Sequence, residues 1–157
     1  MFFSIIVSLE NVDGETFFCS ILDTAGQEEF YSLRDLYMRQ CDGFILVYSI
    51  TDRKSLDNVT DFVKHLKRVK DCTDIPLVLI GNKSDLESER QISRVQGKNL
   101  AELLEIKHFY ETSAKTGDNV NEAFEQIIRL TSAHLKQTKK QTPPSPRKKQ
   151  TKKCCIM

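Results

Sequence analysis

Residues 43–50 read GFILVYSI, an apolar run without a charge. A strand with one face in water alternates apolar and polar residues, whereas an unbroken run suits a strand covered on both faces. A second run of this kind, IPLVLIGN at 75–82, follows it. Between them, residues 53–70 place Leu56, Val59, Phe62, Val63 and Leu66 on one helical stripe. Downstream, Ser93 and Gln96 suit a capping box for a helix to about Glu105, and KHFYET (107–112) suits a short last strand. Asn119 with Glu122 then opens a final helix with Val120, Phe124, Ile127 and Ile128 facing inward. Upstream, EEFYSLRDLYMRQ (28–40) reads as a short helix. Residues 3–22 read as two antiparallel strands turned at Asp13-Gly14, a pair suited to positive φ. The alternation predicts an α/β fold, a mostly parallel sheet with helices on both faces. No internal repeat is visible.

The chain has 157 residues, 39% hydrophobic and 29% charged, which fits one core domain. Its net charge of +1 hides an asymmetry. Residues 136–157 hold eight Lys/Arg and no Asp/Glu, so residues 1–135 carry 15 basic against 22 acidic residues, a net −7. The five cysteines form no CxxC pair and no metal-ligand spacing with the three histidines. That argues against a disulfide scaffold or zinc site and for a reducing compartment. The opening MFFSIIVSLE lacks the basic start and cleavage site of a signal peptide and is shorter than the ~20 residues of a membrane span. Its Phe3, Ile5, Val7 and Leu9, set against Ser4 and Ser8, read as a strand.

Ligands of open α/β sheets sit at the carboxyl ends of strands, and three polar loops leave expected strands there. They are DTAGQ (23–27), NKSD (82–85) and ETSAK (111–115). Each alone is an ordinary turn composition; together, in this order, they are a specific signal. The set resembles the Ras-like small GTPases over roughly residues 12–135 and the last four. It looks closest to the Ras branch, since SIL precedes DTAGQ without the Trp typical of Rab proteins.

The resemblance implies the P-loop NTPase architecture of a Ras-like G domain, binding GTP or GDP with Mg²⁺ and hydrolysing GTP. Asp23 would hold the Mg²⁺ through a water, and Thr24, Ala25 and Gly26 would line the phosphate, with the Gly26 N–H on the γ-phosphate. Gln27 would be the catalytic residue, orienting the attacking water. Asp85 would accept the guanine N1 and N2 hydrogens, as a carboxylate can. Asn82 would brace the loop and touch the base, Lys83 and Lys115 would pack on the ring, the Ala114 N–H would meet O6, and Ser113 would buttress the loop. Adenine reverses the donor and acceptor that Asp85 and Ala114 require, so guanine is expected to be preferred. Effectors, an exchange factor and a GTPase-activating protein are the partners the family implies, acting on a monomer.

From Lys136 onward the composition predicts a disordered tail, KQTKKQTPPSPRKKQTKKCCIM, so that residues 1–135 form the domain. Its CCIM ending fits C-a-a-X with Cys154 as the prenylated residue, terminal Met favouring farnesyl, followed by processing and methylation. One lipid binds membranes marginally, and the eight basic residues supply the second signal, at ~1 kcal/mol each near an anionic surface. The expectation is anchoring at the cytoplasmic face of the plasma membrane rather than nucleic-acid binding. Within the tail, Ser145 before Pro146 suits proline-directed phosphorylation, and Pro143, Pro146 and Lys148 suit an SH3 ligand; a plain linker fits the composition better.

No G-x-x-x-x-G-K-[ST] run, the phosphate cradle of this family, occurs among the 157 residues. The expected domain is therefore a partial one, missing its first strand and first helix. In the family that strand lies between those corresponding to 17–22 and 43–50, which would lose their shared neighbour. The expectation is a chain that is unstable or binds nucleotide weakly. The alternative function is a non-catalytic, membrane-anchored interaction protein that keeps the EEFYSLRDLY surface.

Overall fold

The computed structural model describes residues 4–23, 31–140 and 152–156. Strands β1 (Ser4–Val12) and β2 (Glu15–Asp23) form the expected hairpin, with Val12 opposite Glu15. Asp13 and Gly14 both take positive φ, 53° and 78°, as a two-residue turn that follows strand twist requires. The Arg129 guanidinium clamps the Asp13 carboxylate with bonds of 2.8 and 3.0 Å, and that hydrogen bonding holds its carboxyl pKa below the usual carboxylate range.

Helix α1 (Tyr31–Gln40) precedes β3 (Gly43–Ser49), α2 (Arg53–Lys70) and β4 (Leu77–Asn82). Then come α3 (Arg94–Leu103), β5 (His108–Thr112), α4 (Val120–Lys140) and β6 (Lys152–Ile156). The sheet order is β1-β2-β6-β3-β4-β5, parallel except for the β1–β2 pair. Phe44, Leu46 and Tyr48 of β3 pack with α1, α2 and α3 on one face, while Ile45 packs with Ala123 and Ile127 of α4 on the other. The apolar run at 43–50 is thus covered on both sides, as its lack of alternation implies.

The stripe on α2 buries Leu56, Val59, Val63, Leu66 and also Val69, with Phe62 partly covered. Asp52 caps its first turn by accepting from the Lys54 N–H, and Lys67, Arg68 and Lys70 complement the dipole at its last. Ser93 and Gln96 form both bonds of the expected capping box. Asn119 departs from that pattern. Its φ of 54° is left-handed rather than the extended backbone of an N-cap, and its side-chain amide donates to the Glu111 carbonyl at 2.8 Å.

Two expectations about the ends of the domain are corrected. Helix α4 runs to Lys140, past the boundary expected at 135, because residues 136–140 are adequate helix formers and Lys136 Nζ lies 3.4 Å from the Glu15 carboxylate. More consequentially, β2 and β3 do not lose their shared neighbour. Residues 152–156, expected to be disordered, lie between them as β6, parallel to both. The pairing satisfies backbone groups that a buried strand cannot leave open. The remainder of the expected tail, residues 141–151 and 157, lies outside the described residues.

Candidate functional site

Because β2, β6, β3, β4 and β5 are parallel, Asp23, Asn82 and Thr112 stand at carboxyl ends on one edge of the sheet. That edge carries the NKSD and ETSAK loops together with Asp23, the first residue of DTAGQ. Asp23 closes β2, opposite Ser4 and Ile156. Thr24, Ala25, Gly26 and Gln27 lie outside the described residues.

The NKSD and ETSAK loops are bound into one unit. Asn82 Oδ1 accepts from the Thr112 hydroxyl and the Ala114 N–H, each at 3.2 Å. The Ser84 N–H donates to the Thr112 carbonyl at 3.0 Å. Lys83 sits at φ 69°, a left-handed turn closed by the Leu86 N–H on the Lys83 carbonyl. The Ser113 hydroxyl, fully buried, donates to Asp85 Oδ1 at 2.6 Å and accepts from the Thr116 N–H at 3.1 Å. The Ser113 bond, assisted by the Lys115 and Lys83 charges, holds the Asp85 carboxyl below its ordinary range. Asp85, Lys83, Ala114 and Lys115 are all exposed, so the unit presents an ionised carboxylate flanked by two ammonium stems.

Several residues that hold this unit carry no sequence signal of their own. Arg90 bridges Glu87, just after Asp85, to Glu111, just before Thr112, with bonds of 2.7 to 3.0 Å to both carboxylates. Arg90 and Glu111 are 16% and 11% exposed, so the bond is shielded from water. Hydrogen bonding to Glu111 and then Glu87 pushes the guanidinium pKa up. The Glu87/Arg90 spacing of three hints at a pair; nothing in the sequence joins Arg90 to Glu111. Beyond the loop, the Ser113 N–H donates to the Asp118 carbonyl at 3.1 Å, and the Thr116 hydroxyl donates to Asp118 at 2.7 Å. An open polar cleft of about 540 Å³ lies beside the unit, lined by Ser84, Arg94, Glu111 and residues 117–119, but it contains none of Asp85, Ala114 or Lys115.

On the other side of the sheet edge, α1 is pinned to α2. His65 Nε2 lies 2.6 Å from Asp35, and Lys70 Nζ donates to the Cys41 carbonyl at 2.8 Å at the end of α1. Leu36 of α1 stays 48% exposed. Among the described residues no cluster of three His, Cys, Asp or Glu could hold a metal ion, and no helix is long and apolar enough to cross a membrane.

A mostly parallel α/β sheet whose carboxyl-end edge binds NKSD and ETSAK into one unit is the architecture observed, and the sequence relationships agree with it. Residues 4–133 match the Ras family, and the chain belongs to it. The match begins eight residues before the expected start at 12, at the first residue of β1. The chain is 44% identical to the Ras-related protein R-Ras of Rattus norvegicus over 147 residues, 93% of this chain and 67% of that protein. It is 45% identical to the Ras-like protein rasX of Dictyostelium discoideum over 118 residues, 75% of this chain and 55% of that protein. The circularly permutated Ras protein 1 of the same organism is 48% identical over 118 residues, 75% of this chain and 14% of that protein. The chain thus spans about half to two thirds of the first two relatives.

Proposed function

We propose that the chain serves as a membrane-anchored guanine-nucleotide switch of the Ras type. The observation that carries the reading is Asp85: an exposed carboxylate kept ionised and held at one oxygen by buried Ser113, beside an Ala114 N–H at the same edge. That pair matches the N1/N2 donors and O6 acceptor of guanine, with O6 competing against Asn82 for the Ala114 N–H at 3.2 Å. The Asn82 amide N–H₂ is used by neither of its two bonds and remains for the base. Lys83 and Lys115 cover the ring. Asp23 would hold Mg²⁺ through a water, supplying charge neutralisation to phosphate, and Gln27 would orient water for GTP hydrolysis. With no phosphate-loop run among these residues, the base unit carries most of the affinity, and binding is expected to be weak.

A lipid on Cys154 and the basic residues of 136–153 would fix the chain to an anionic cytoplasmic leaflet. Effectors and regulators would meet the α1 side. The second reading, an anchored interaction protein without hydrolysis, is favoured by one observation: the chain's own residues 152–156 fill the slot beside Asp23.

Equilibrium titration of the full chain with fluorescent GDP and ADP, with and without Mg²⁺, tests the base reading. The expected result is a preference for GDP of about tenfold or more, at Kd above about 1 µM. Equal binding of the two nucleotides would refute it. Sub-micromolar GTP binding would refute the weak-binding expectation.

A further inference from the structure

The segment expected to carry a lipid is the segment that completes the sheet. In β6, Cys154 stands opposite Ile21 of β2 on one side and Gly43 of β3 on the other; Cys155 stands opposite Leu22 and Phe44, and Ile156 opposite Asp23 and Ile45. β2 is already paired on its far edge with β1, and β3 with β4. The seat between them is therefore one strand wide, and its occupant has both backbone edges hydrogen-bonded.

We infer that this seat and lipid attachment at Cys154 exclude each other, so that the chain anchors only when β6 has left the sheet. The inference rests on the reading of Cys154 as a prenyl acceptor. Prenyl transfer joins the Cys154 sulfur to C1 of an allylic prenyl diphosphate. The C–O bond breaks, diphosphate leaves with the electron pair, and the thiol proton passes to solvent. A transferase must take the last four residues into its own site, and a strand paired on both edges offers it no free backbone. The reverse exclusion follows from processing. Hydrolytic removal of residues 155–157 deletes Cys155 and Ile156, two of the three residues that pair with β3. The processed chain cannot rebuild that ladder.

The seat itself argues for occupation. With β6 in place, Leu22, Phe44 and Ile45, which flank it, are 5%, 0% and 1% exposed. With the seat empty, the facing edges of β2 and β3 lose their backbone hydrogen-bond partners. The driving force for β6 is thus the need of β2 and β3 for a neighbour, rather than the strand preference of KKCCI. Release of the segment by any competing extended strand would deliver the lipid site.

The test pairs prenyl transfer with amide hydrogen exchange on the full chain. A prenyltransferase and prenyl diphosphate are presented with the full chain, with its Lys153→Pro variant, and with a peptide of residues 146–157. Proline at 153 cannot sit in a central strand, yet leaves C-a-a-X intact. The full chain is expected to react about tenfold or more slowly than the peptide, since only the opened fraction reacts, with the variant approaching the peptide rate. In the unmodified full chain, amides of 152–156 exchange as slowly as those of β3; after lipidation, amides of 19–23 and 43–45 exchange faster. These two exchange measurements need no variant, so a Lys153→Pro chain that fails to fold leaves the test intact. Full chain and peptide reacting at one rate, with fast exchange at 152–156, overturns the inference and leaves the anchor standing. A peptide that is not modified overturns both the inference and the anchor.

Discussion

Tyr48 shows how much one buried side chain fixes in this fold. It lies 1% exposed in the middle of β3, and its hydroxyl has no hydrogen-bond partner among the described residues. A Cβ added at Gly81 would stand 2.7 Å from that oxygen, and one added at Gly97 would collide with it and with the Phe109 ring. Alanine normally improves a helix interior over glycine by ~1 kcal/mol. At position 97 of α3 the sign is expected to reverse, because overpacking costs about 1–3 kcal/mol. Gly97→Ala should lower the thermal midpoint, and adding Tyr48→Phe should recover part of the loss; no loss in the single variant would contradict the packing. Burial, with a smaller contribution from Glu111, pushes the Tyr48 pKa up to about 12 from 10.0. The folded chain thus holds this proton more tightly than the unfolded one. Stability from this group is full below pH 10 and is lost between pH 10 and about 12. A pH titration of the thermal midpoint should show a shallower alkaline fall in Tyr48→Phe than in the parent.

Among the elements, those with a local chemical instruction were legible in the sequence. Asp13-Gly14 set the hairpin, Ser93 with Gln96 set the start of α3, and the Leu56–Leu66 stripe set α2. The loops NKSD and ETSAK were legible as residue types, but not the scaffold that joins them. Arg90 and Glu111 are 21 positions apart and meet only because β5 runs parallel to β4. Glu111→Ala should therefore loosen the base unit without touching a base contact. It leaves the Arg90 guanidinium, 16% exposed, with Glu87 and the Ile92 carbonyl as its remaining partners, at a cost of about 2–4 kcal/mol. A loss of unfolding free energy in urea smaller than ~0.5 kcal/mol would show that Glu87 and the Ile92 carbonyl suffice. Ser113→Ala removes the hydroxyl that orients Asp85 and accepts from Thr116. It should cost about 1–3 kcal/mol in stability and weaken GDP together, the pairing that identifies a positioning role.

At the scale of the whole molecule, the sheet is completed from the far end of the chain. That feature was illegible because KKCCI has neither alternation nor the apolar run of β3; its place is set by two partners at 19–23 and 43–45. Local propensity is a weak guide where the neighbours supply the hydrogen bonds. The same view locates the candidate site: one edge of a Ras-family sheet, with Asp23 at the end of β2 beside Ile156 of β6, and the NKSD and ETSAK unit across β4 and β5. The central claim is that this unit reads guanine through Asp85. The most direct measurement is competitive binding of GDP and xanthosine diphosphate to the parent chain and to Asp85→Asn. Xanthine carries an oxygen where guanine carries the 2-amino group, so an amide donor at position 85 suits it and a carboxylate repels it. The account predicts that the variant loses GDP by about tenfold or more and gains xanthosine diphosphate by a comparable factor. Parallel losses of both nucleotides, or no change in either, would contradict it.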